Sequence, residues 1–300
     1  MKATFYIIKE SFNSDNIRIE DIINNIAAFL VDYPTIDDFG DENEIIVTED
    51  VYDAQLPNGI NLLEYAYNTD NAVGEEKDLK RSLQMILQRH TTNLTIEQIH
   101  ELINKNSIEK CTGIISMVPI DKIAKESQIV YDRDSWYDFR RYHLGLFHGT
   151  SEYFIDECKK FYPNLFFHEH NKESVGTILN SFAKAIIFHL NGINDILPNL
   201  IKEHPDFHQN QLLKLLSKEA NFPEDASVQG SIEKKKEMKF YFKLNDSDKE
   251  VLILCELHAK LCYDDSGSKK YHKDKRIYFF KGRKDVEQGK ILIGHIGKHI

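Results

Sequence analysis

VLILCELHAKL at 251–261, KRIYFF at 275–280 and KILIGHIGKHI at 290–300 are three apolar, β-branched or aromatic runs near the carboxyl end of the chain. Polar segments separate them, which is typical of β-strands joined by turns and loops. A fourth run, MKFYFKL at 238–244, precedes them. The four runs in this order predict a C-terminal antiparallel β-meander.

Alternation along these strands predicts one polar and one apolar face, because successive side chains of a strand point to opposite sides of the sheet. In the first run, the apolar side chains are Leu257, Ala259 and Leu261. The glycines Gly294 and Gly297 are predicted to leave room for a ligand or a backbone. The polar positions, which we expect on a common face, are Glu256, His258, Lys260, Arg276, Tyr278, His295 and His299.

Charge is unevenly distributed along the chain. Residues 231–300 contain 17 Lys and Arg against 11 Asp and Glu. Out of totals of 38 basic and 48 acidic residues, this leaves 21 basic and 37 acidic residues in the preceding part. A basic terminal segment on an acidic body predicts contact with a polyanion, and it also fits a body that masks that segment.

The N-terminal residues, the lengths of the apolar runs and the cysteine spacing predict a cytoplasmic protein. The first ten residues, MKATFYIIKE, lack the apolar length and cleavage site of a signal peptide. No run approaches the roughly 20 apolar residues of a membrane span, so no membrane partner is expected. The four cysteines are scattered without a CxxC pair, which argues against a disulfide framework or a thiolate zinc site.

The remaining patterns predict an α+β protein with four regions. We expect an acidic N-terminal α/β region over 1–120, a helical region over 121–220, a linker over 221–237 and a basic C-terminal sheet over 238–300. Thr95 and Gln98 have the spacing of a capping box and predict a helix start. No Gly-rich phosphate loop occurs, so a nucleotide-binding doubly wound domain is not expected.

Two aromatic segments in the middle of the chain are candidate binding sites. DSWYDFRRYHLGLFHG at 134–149 could stack single-stranded nucleic acid, but Trp136, Phe139 and Leu144 are spaced as the buried face of a helix. His168 and His170 form an HxH pair that could bind zinc. Because the sequence offers no companion cluster, an aromatic turn is predicted there instead.

The terminal runs resemble the compact sheet of RelE and ParE superfamily toxins. The motifs that carry the resemblance are ELH, RIYF and a last strand with glycine and histidine, over about 60 residues. The succession HAKL, RIYF, GHIGKHI is also similar to the ends of uncharacterised bacterial proteins associated with phage defence. The resemblance implies a toxin or phage-defence nuclease.

The same resemblance implies metal-independent RNA cleavage, with RNA rather than DNA as the partner and no cofactor. His258 or His295 would act as base or acid, while Lys260 and Arg276 hold the phosphate. Tyr278 would stack on or orient a base, and the terminal Lys298 and His299 would contact the substrate. Glu256 completes the expected set of site residues.

Two other functions remain open from the sequence. Glu256 and Lys260 resemble the acidic strand of PD-(D/E)xK nucleases, which use Mg²⁺; the further carboxylate would come from Asp246 or Asp248. A non-catalytic module that binds nucleic acid or protein would show the same charge pattern. As a further hypothesis, the acidic body restrains the basic sheet in cis until a trigger arrives, so deleting the residues before about Ser227 should raise activity. A protein inhibitor or trigger would then be a further partner.

Overall fold

The computed structural model describes the chain except residues 14–16, 40–41, 58, 71, 121–124, 246 and 270–273. Helices and strands are both abundant, as expected of an α+β protein. The chain divides into two compact units, Met1–Arg140 and Arg141–Ile300. No helix in the described ranges is long and apolar enough to cross a membrane.

The N-terminal unit contains a five-stranded sheet in which every neighbouring pair is parallel. The strand order is β3-β2-β1-β4-β5. The central strands are almost wholly buried, as is usual for parallel strands covered on both faces. The strands are β1 (Lys2–Ile7), β2 (Asn43–Thr48), β3 (Thr91–Thr92), β4 (Lys110–Ile115) and β5 (Ile129–Val130).

Helices connect these strands and cover both faces of the sheet. They are α1 (Ile19–Asp37), α2 (Leu62–Tyr67), α3 (Glu75–Leu87), α4 (Ile96–Asn104) and the start of α5 (Arg133–Leu146). Ile99 and Ile103 of α4 pack with Tyr6 and Ile114 on one face. On the other face, the Phe139 ring of α5 lies 4.8 Å from that of Phe5, centroid to centroid.

The expectation against a doubly wound domain was wrong as regards the fold. The sheet is parallel, its connections are helical and its strand order reverses between β1 and β4, which defines doubly wound architecture. The expectation depended only on the absence of a glycine-rich phosphate loop. A parallel sheet of this kind does not need that loop in order to form.

The C-terminal unit contains a mixed sheet in the order β6-β12-β11-β10-β7. Strands β10, β11 and β12 form an antiparallel meander, β7 is antiparallel to β10, and β6 is parallel to β12. The strands are β6 (Leu165–Phe167), β7 (Ser227–Val228), β10 (Leu257–Lys260), β11 (Lys275–Phe280) and β12 (Ile291–Lys298). A separate antiparallel hairpin consists of β8 (Lys239–Lys243) and β9 (Glu250–Leu254).

The predicted four-strand meander is therefore only partly correct. The run 251–261 is not one strand, because it breaks at Cys255 and Glu256 into β9 and β10, which belong to different sheets. The hairpin packs its apolar side on the second face of the mixed sheet. That contact joins Phe240 and Phe242 of β8 to Leu292 of β12, with Val286 beside them.

Helices cover the first face of the mixed sheet. They are α6 (Ser151–Phe161), α8 (Leu179–Asn191), α9 (Leu197–Glu203) and α10 (Gln209–Glu219). A short helix, α7 (Asn171–Ser174), packs along β12, and α11 (Ile232–Lys235) lies on the second face, where its Lys234 contacts His299. The core combines α8 residues such as Phe182 and Ile186 with Leu257, Ile277 and Ile293 of the sheet. Strand and helix residues thus form one continuous apolar cluster.

The division of the chain differs from the limits expected from the sequence. The helical region and the terminal sheet share one core and lie in the same unit, so 220 is not a boundary. Within the expected linker 221–237, Ser227–Val228 forms β7 and pairs with β10. This segment has the composition of a linker, but Ser227 and Val228 within it form an edge strand of the sheet.

Candidate functional site on the C-terminal sheet

One face of the meander carries the polar side chains that the sequence predicted to converge. The pairing places His258 opposite Tyr278 and Tyr278 opposite His295, and it places Lys260 opposite Arg276. Side chains directly opposite on an antiparallel pair lie on the same face. The other face belongs to the apolar core, as alternation predicted for Leu257, Ala259 and Leu261.

The Tyr278 hydroxyl is the junction of this face. Tyr278 is fully buried. Its Oη lies 2.6 Å from His299 Nδ1 and accepts a hydrogen bond from Arg276 Nη1 at 3.3 Å. Gln229, which follows β7, also lies against Tyr278. We call Tyr278, Arg276, His299, Lys234 and Gln229 the Tyr278 cluster.

The tautomer of His299 follows from its second partner. Lys234 Nζ lies 2.9 Å from His299 Nε2. An ammonium group can only donate, so Nε2 accepts and the ring proton is on Nδ1, which donates to Tyr278 Oη. Partial burial, and then the positive charges of Arg276 and Lys234, lower the pKa of His299 below its usual value. His299 is therefore a neutral imidazole with its basic nitrogen toward a cation.

His258 is held by protein on both sides. It is 3% exposed. Its Nε2 lies 3.0 Å from Ser227 Oγ, and its Nδ1 lies 3.4 Å from the Glu256 carbonyl oxygen. Burial, and secondarily the charge of Arg276, lower the pKa of His258 to about 4. This imidazole stays neutral near pH 7 and joins β7 to β10.

His295 is engaged in the same way. It is 7% exposed. Its Nε2–H donates to the Lys298 carbonyl oxygen at 2.9 Å, so its Nδ1 accepts from His170 Nε2 at 3.1 Å. Burial is the main cause that lowers the pKa of His295 to about 4, with the charge of His170 adding to it. The expected role of His258 or His295 as base or acid does not fit these positions, because both rings are buried with both nitrogens engaged by protein groups.

The expected charged residues are mostly paired. Lys235 Nζ lies 2.6 Å from Glu256 Oε2, and Lys260 Nζ lies 3.3 Å from Glu224 Oε2. In contrast, Arg276 and Lys234 have no carboxylate partner in the part of the chain that is described. The two cations of the Tyr278 cluster are thus not held in an ion pair with a described carboxylate, although the Asp274 carboxylate also acts on His299 in this cluster.

Lys298, Gly294 and Gly297 do not have the positions that the sequence predicted for contact with a ligand. Lys298 is exposed, and as the residue after Gly297 it points to the face opposite Arg276. A Cβ on Gly294 would lie 2.6 Å from the Phe240 ring, and one on Gly297 would lie 2.8 Å from the His295 ring. Protein side chains therefore fill the space that the glycines were expected to leave for a ligand.

One buried donor in the Tyr278 cluster lacks an acceptor among the described residues, and a second, Gln229 Nε2, meets only the Tyr278 hydroxyl. Gln229 is 8% exposed. Its Oε1 accepts from the Ser231 backbone N–H at 3.3 Å. Its Nε2 and Arg276 Nε are shielded from solvent, and neither has a well-aligned hydrogen bond to any described residue. Buried polar groups are nearly always satisfied, so the unpaired Arg276 Nε favours an acceptor ligand such as a phosphate oxygen.

The described residues give little support to a magnesium site at Glu256 and Lys260. Glu256 and Lys260 are tied to Lys235 and Glu224. Asp248 is exposed, and Asp246 lies outside the described residues. Among described residues, no group of three or more His, Cys, Asp or Glu side chains is arranged to hold a metal ion. His168 and His170 do not form such a group either.

Sequence reasoning missed four residues of this region. Gln229, Ser227 and Lys234 fall in the expected linker, and His170 falls in the HxH pair. Each reaches its partner across at least 31 residues of chain, as in the pair Ser227 and His258. No local pattern encodes such contacts. No protein-family model, curated protein or solved structure matches this chain.

Proposed function

We propose that this protein is a cytoplasmic effector that binds RNA at the Tyr278 cluster and cleaves it without a metal ion. The observation that carries the proposal is a neutral imidazole, His299, held between Tyr278 and Lys234 in a cluster with the unpaired buried donor Arg276 Nε. Arg276 and Lys234 both place positive charge beside His299, which the Asp274 carboxylate offsets in part. A phosphodiester has the charge and the acceptor oxygens that such a cluster lacks.

Binding comes first in the proposed reaction. The Arg276 guanidinium and the Gln229 carboxamide donate to the non-bridging phosphate oxygens, which satisfies the two buried donors. Lys234 moves from His299 Nε2 to the bound phosphate. The anion and the departure of Lys234 both favour protonation of His299, so the ring becomes a competent base.

Cleavage then follows without a cofactor. His299 Nε2 takes the proton of the ribose 2′-hydroxyl, whose oxygen attacks phosphorus while the bond to the 5′-oxygen breaks. Arg276 stabilises the charge on the phosphorane. Lys234 gives a proton to the 5′-oxygen and recovers one from His299. The products are a 2′,3′-cyclic phosphate and a 5′-hydroxyl, and DNA lacks the nucleophile.

Tyr278 acts through His299, so we assign it a positioning role. Its hydroxyl oxygen accepts a hydrogen bond from Nδ1–H, which keeps Nε2 unprotonated and directed toward Lys234. Tyr278→Phe should lower kcat about tenfold with little change in KM. It should also change the pH profile, because Nδ1 loses the partner that fixes the tautomer. A merely structural role would leave the pH profile unchanged.

The test uses the full chain with labelled RNA and DNA oligonucleotides of one sequence, with and without EDTA. We expect RNA cleavage in both conditions and no DNA cleavage. His299→Ala should lower the rate by about 10²-fold, a typical loss for a general base. His100→Ala is the matched control, since His100 is an exposed histidine of α4.

Other results would assign a different function. Cleavage that EDTA abolishes and that survives His299→Ala would support the magnesium-dependent alternative. Binding of RNA without cleavage, weakened by Arg276→Ala, would support a binding module. Cleavage of RNA that is unaffected by both substitutions would remove the Tyr278 cluster from the mechanism.

A further inference from the structure

The N-terminal unit has a cavity at the edge of its sheet where the strand order reverses. The chain runs outward from β1 through β2 to β3, and then crosses to β4 and β5 on the other side of β1. In open α/β sheets, ligands bind beyond the carboxyl ends of the strands at such a reversal. A cavity of about 310 Å³ lies beside it, lined by residues that follow β4 and β5 and by α1.

The walls of this cavity are fixed by hydrogen bonds between the segments that follow β1 and β4. Ser11 Oγ donates to the Ile115 carbonyl oxygen at 2.7 Å, and the Met117 backbone N–H donates to the Ser11 carbonyl oxygen at 2.9 Å. Ser116 Oγ donates to the Val118 carbonyl oxygen at 2.6 Å. Asn25 Nδ2 of α1 donates to the Met117 carbonyl oxygen at 2.9 Å. The cavity is therefore preformed.

The polar groups at the mouth are acceptors. Asn25 uses its Nδ2 on the protein, which leaves Oδ1 without a partner among described residues. Asp132 uses Oδ1 to cap the start of α5 at Ser135, which leaves Oδ2. Glu126 is exposed, and its carboxylate contacts no described donor. All three residues are exposed, so their free oxygens can accept from a ligand that is rich in O–H and N–H donors.

The charge and the shape of the cavity limit the class of ligand that it can bind. No Lys or Arg is among the described lining residues, and two of those residues are acidic, so a phosphate would be repelled. Met117, Val118 and Pro119 give an apolar wall, with the Tyr131 ring at the same mouth. About 310 Å³ is at the lower end of ligand pockets, which suits one small molecule with a flat apolar part.

We propose that this cavity binds a ribonucleoside without phosphate. The ribose hydroxyls donate to Glu126 and Asp132, an exocyclic amine donates to Asn25 Oδ1, and the base lies against the apolar wall beside Tyr131. This gives the N-terminal unit a ligand-sensing role that is independent of RNA cleavage by the other unit. It also explains how a doubly wound sheet binds a ligand without a phosphate loop.

The test is calorimetric titration of the full chain with adenosine and, separately, with ATP. We expect saturable binding of adenosine and at least about tenfold weaker binding of ATP, a difference of about 1.4 kcal/mol. Guanosine, cytidine and uridine extend the panel. Failure of all four nucleosides to bind at about 1 mM, or tighter binding of ATP than of adenosine, would overturn the proposal.

Matched variants locate the site. Ala28 is an exposed residue of α1 that lines the cavity, whereas Asn24 is an exposed residue of the same helix that does not. Ala28→Trp should weaken adenosine binding by at least about tenfold, and Asn24→Trp should leave it unchanged. Equal affinities of the two variants would overturn the assignment to this cavity. Urea unfolding of both variants shows that each retains the fold.

Discussion

The partners of each histidine ring, rather than its presence on the polar face, decide what the residue can do. His258 and His295 lie at the centre of the row that alternation predicted, yet both are buried and have both nitrogens engaged. His299 is less buried, and among the described residues its basic nitrogen contacts the Lys234 side chain. Proton transfer is therefore best assigned to His299, and the other two rings stabilise the sheet.

Buried neutral imidazoles make stability depend on pH. Burial lowers the pKa of His189, His258 and His295 to about 4 each. In the unfolded chain the same rings titrate near 6.5. Below about pH 6.5 the unfolded state therefore binds more protons, and the free energy of unfolding falls as pH decreases toward 4. Their contribution is complete above that window.

We expect urea unfolding followed by circular dichroism to show this loss between pH 7.5 and pH 5. Each of the three rings can contribute a slope of up to about 1.4 kcal/mol per pH unit. Carboxylates with lowered pKa values act only below about pH 4.5, so the two effects separate. A free energy of unfolding that stays constant down to pH 5 would contradict the burial of these rings.

Residue positions on a strand were predictable, but their partners were not. Alternation placed Leu257 and Ala259 in the core and His258 on the other face, since the period of a strand is fixed by its backbone. The Thr95 capping box was also confirmed, because both of its hydrogen bonds are local. The contacts of Gln229 and His170 depend on tertiary packing, which leaves no local signal.

At the scale of elements, the break between β9 and β10 determines how the second face of the sheet is used. The hairpin covers the part of that face around Leu292 with apolar side chains, whereas His258, Tyr278 and His295 form a polar row across β10, β11 and β12. The sequence 251–261 shows no Gly or Pro at the break. A continuous apolar run carries no mark where a strand changes sheets, so one strand was predicted.

The two faces of β8 give a matched test of this packing. Phe242 is 1% exposed against the mixed sheet, whereas Tyr241 beside it is 59% exposed. Phe242→Ala should lower the free energy of unfolding by about 3–5 kcal/mol, the usual cost of a cavity left by phenylalanine. Tyr241→Ala should change it by less than about 0.5 kcal/mol. Similar losses for both substitutions in urea unfolding would show that the hairpin is not docked.

At the scale of the whole molecule, charge asymmetry was visible in the sequence but unit boundaries were not. A boundary was expected where composition changes, near 220. The C-terminal unit begins at Arg141, because helices α6 to α10 bury the apolar face of the terminal sheet. Which helices cover which sheet depends on long-range packing, and composition is similar on both sides of Arg141.

The boundary changes how restraint of the basic sheet by the acidic body must be tested. The sequence-based test deletes the residues before about Ser227. That deletion removes the helices that form half of the core, such as Phe182 and Ile186, which pack against Leu257 of the sheet. We expect a 227–300 fragment to lack cooperative urea unfolding, because Ile277 and Ile293 would face water. A 141–300 fragment keeps both halves and should unfold cooperatively.

Comparing 141–300 with the full chain then tests the restraint. If the acidic N-terminal unit masks the Tyr278 cluster, the fragment should cleave RNA faster than the full chain, and the difference should shrink at high salt, where charge attraction is screened. Equal rates at low salt would contradict the restraint. Cooperative unfolding of 227–300 would instead contradict the shared core, since the sheet would then fold without its helices.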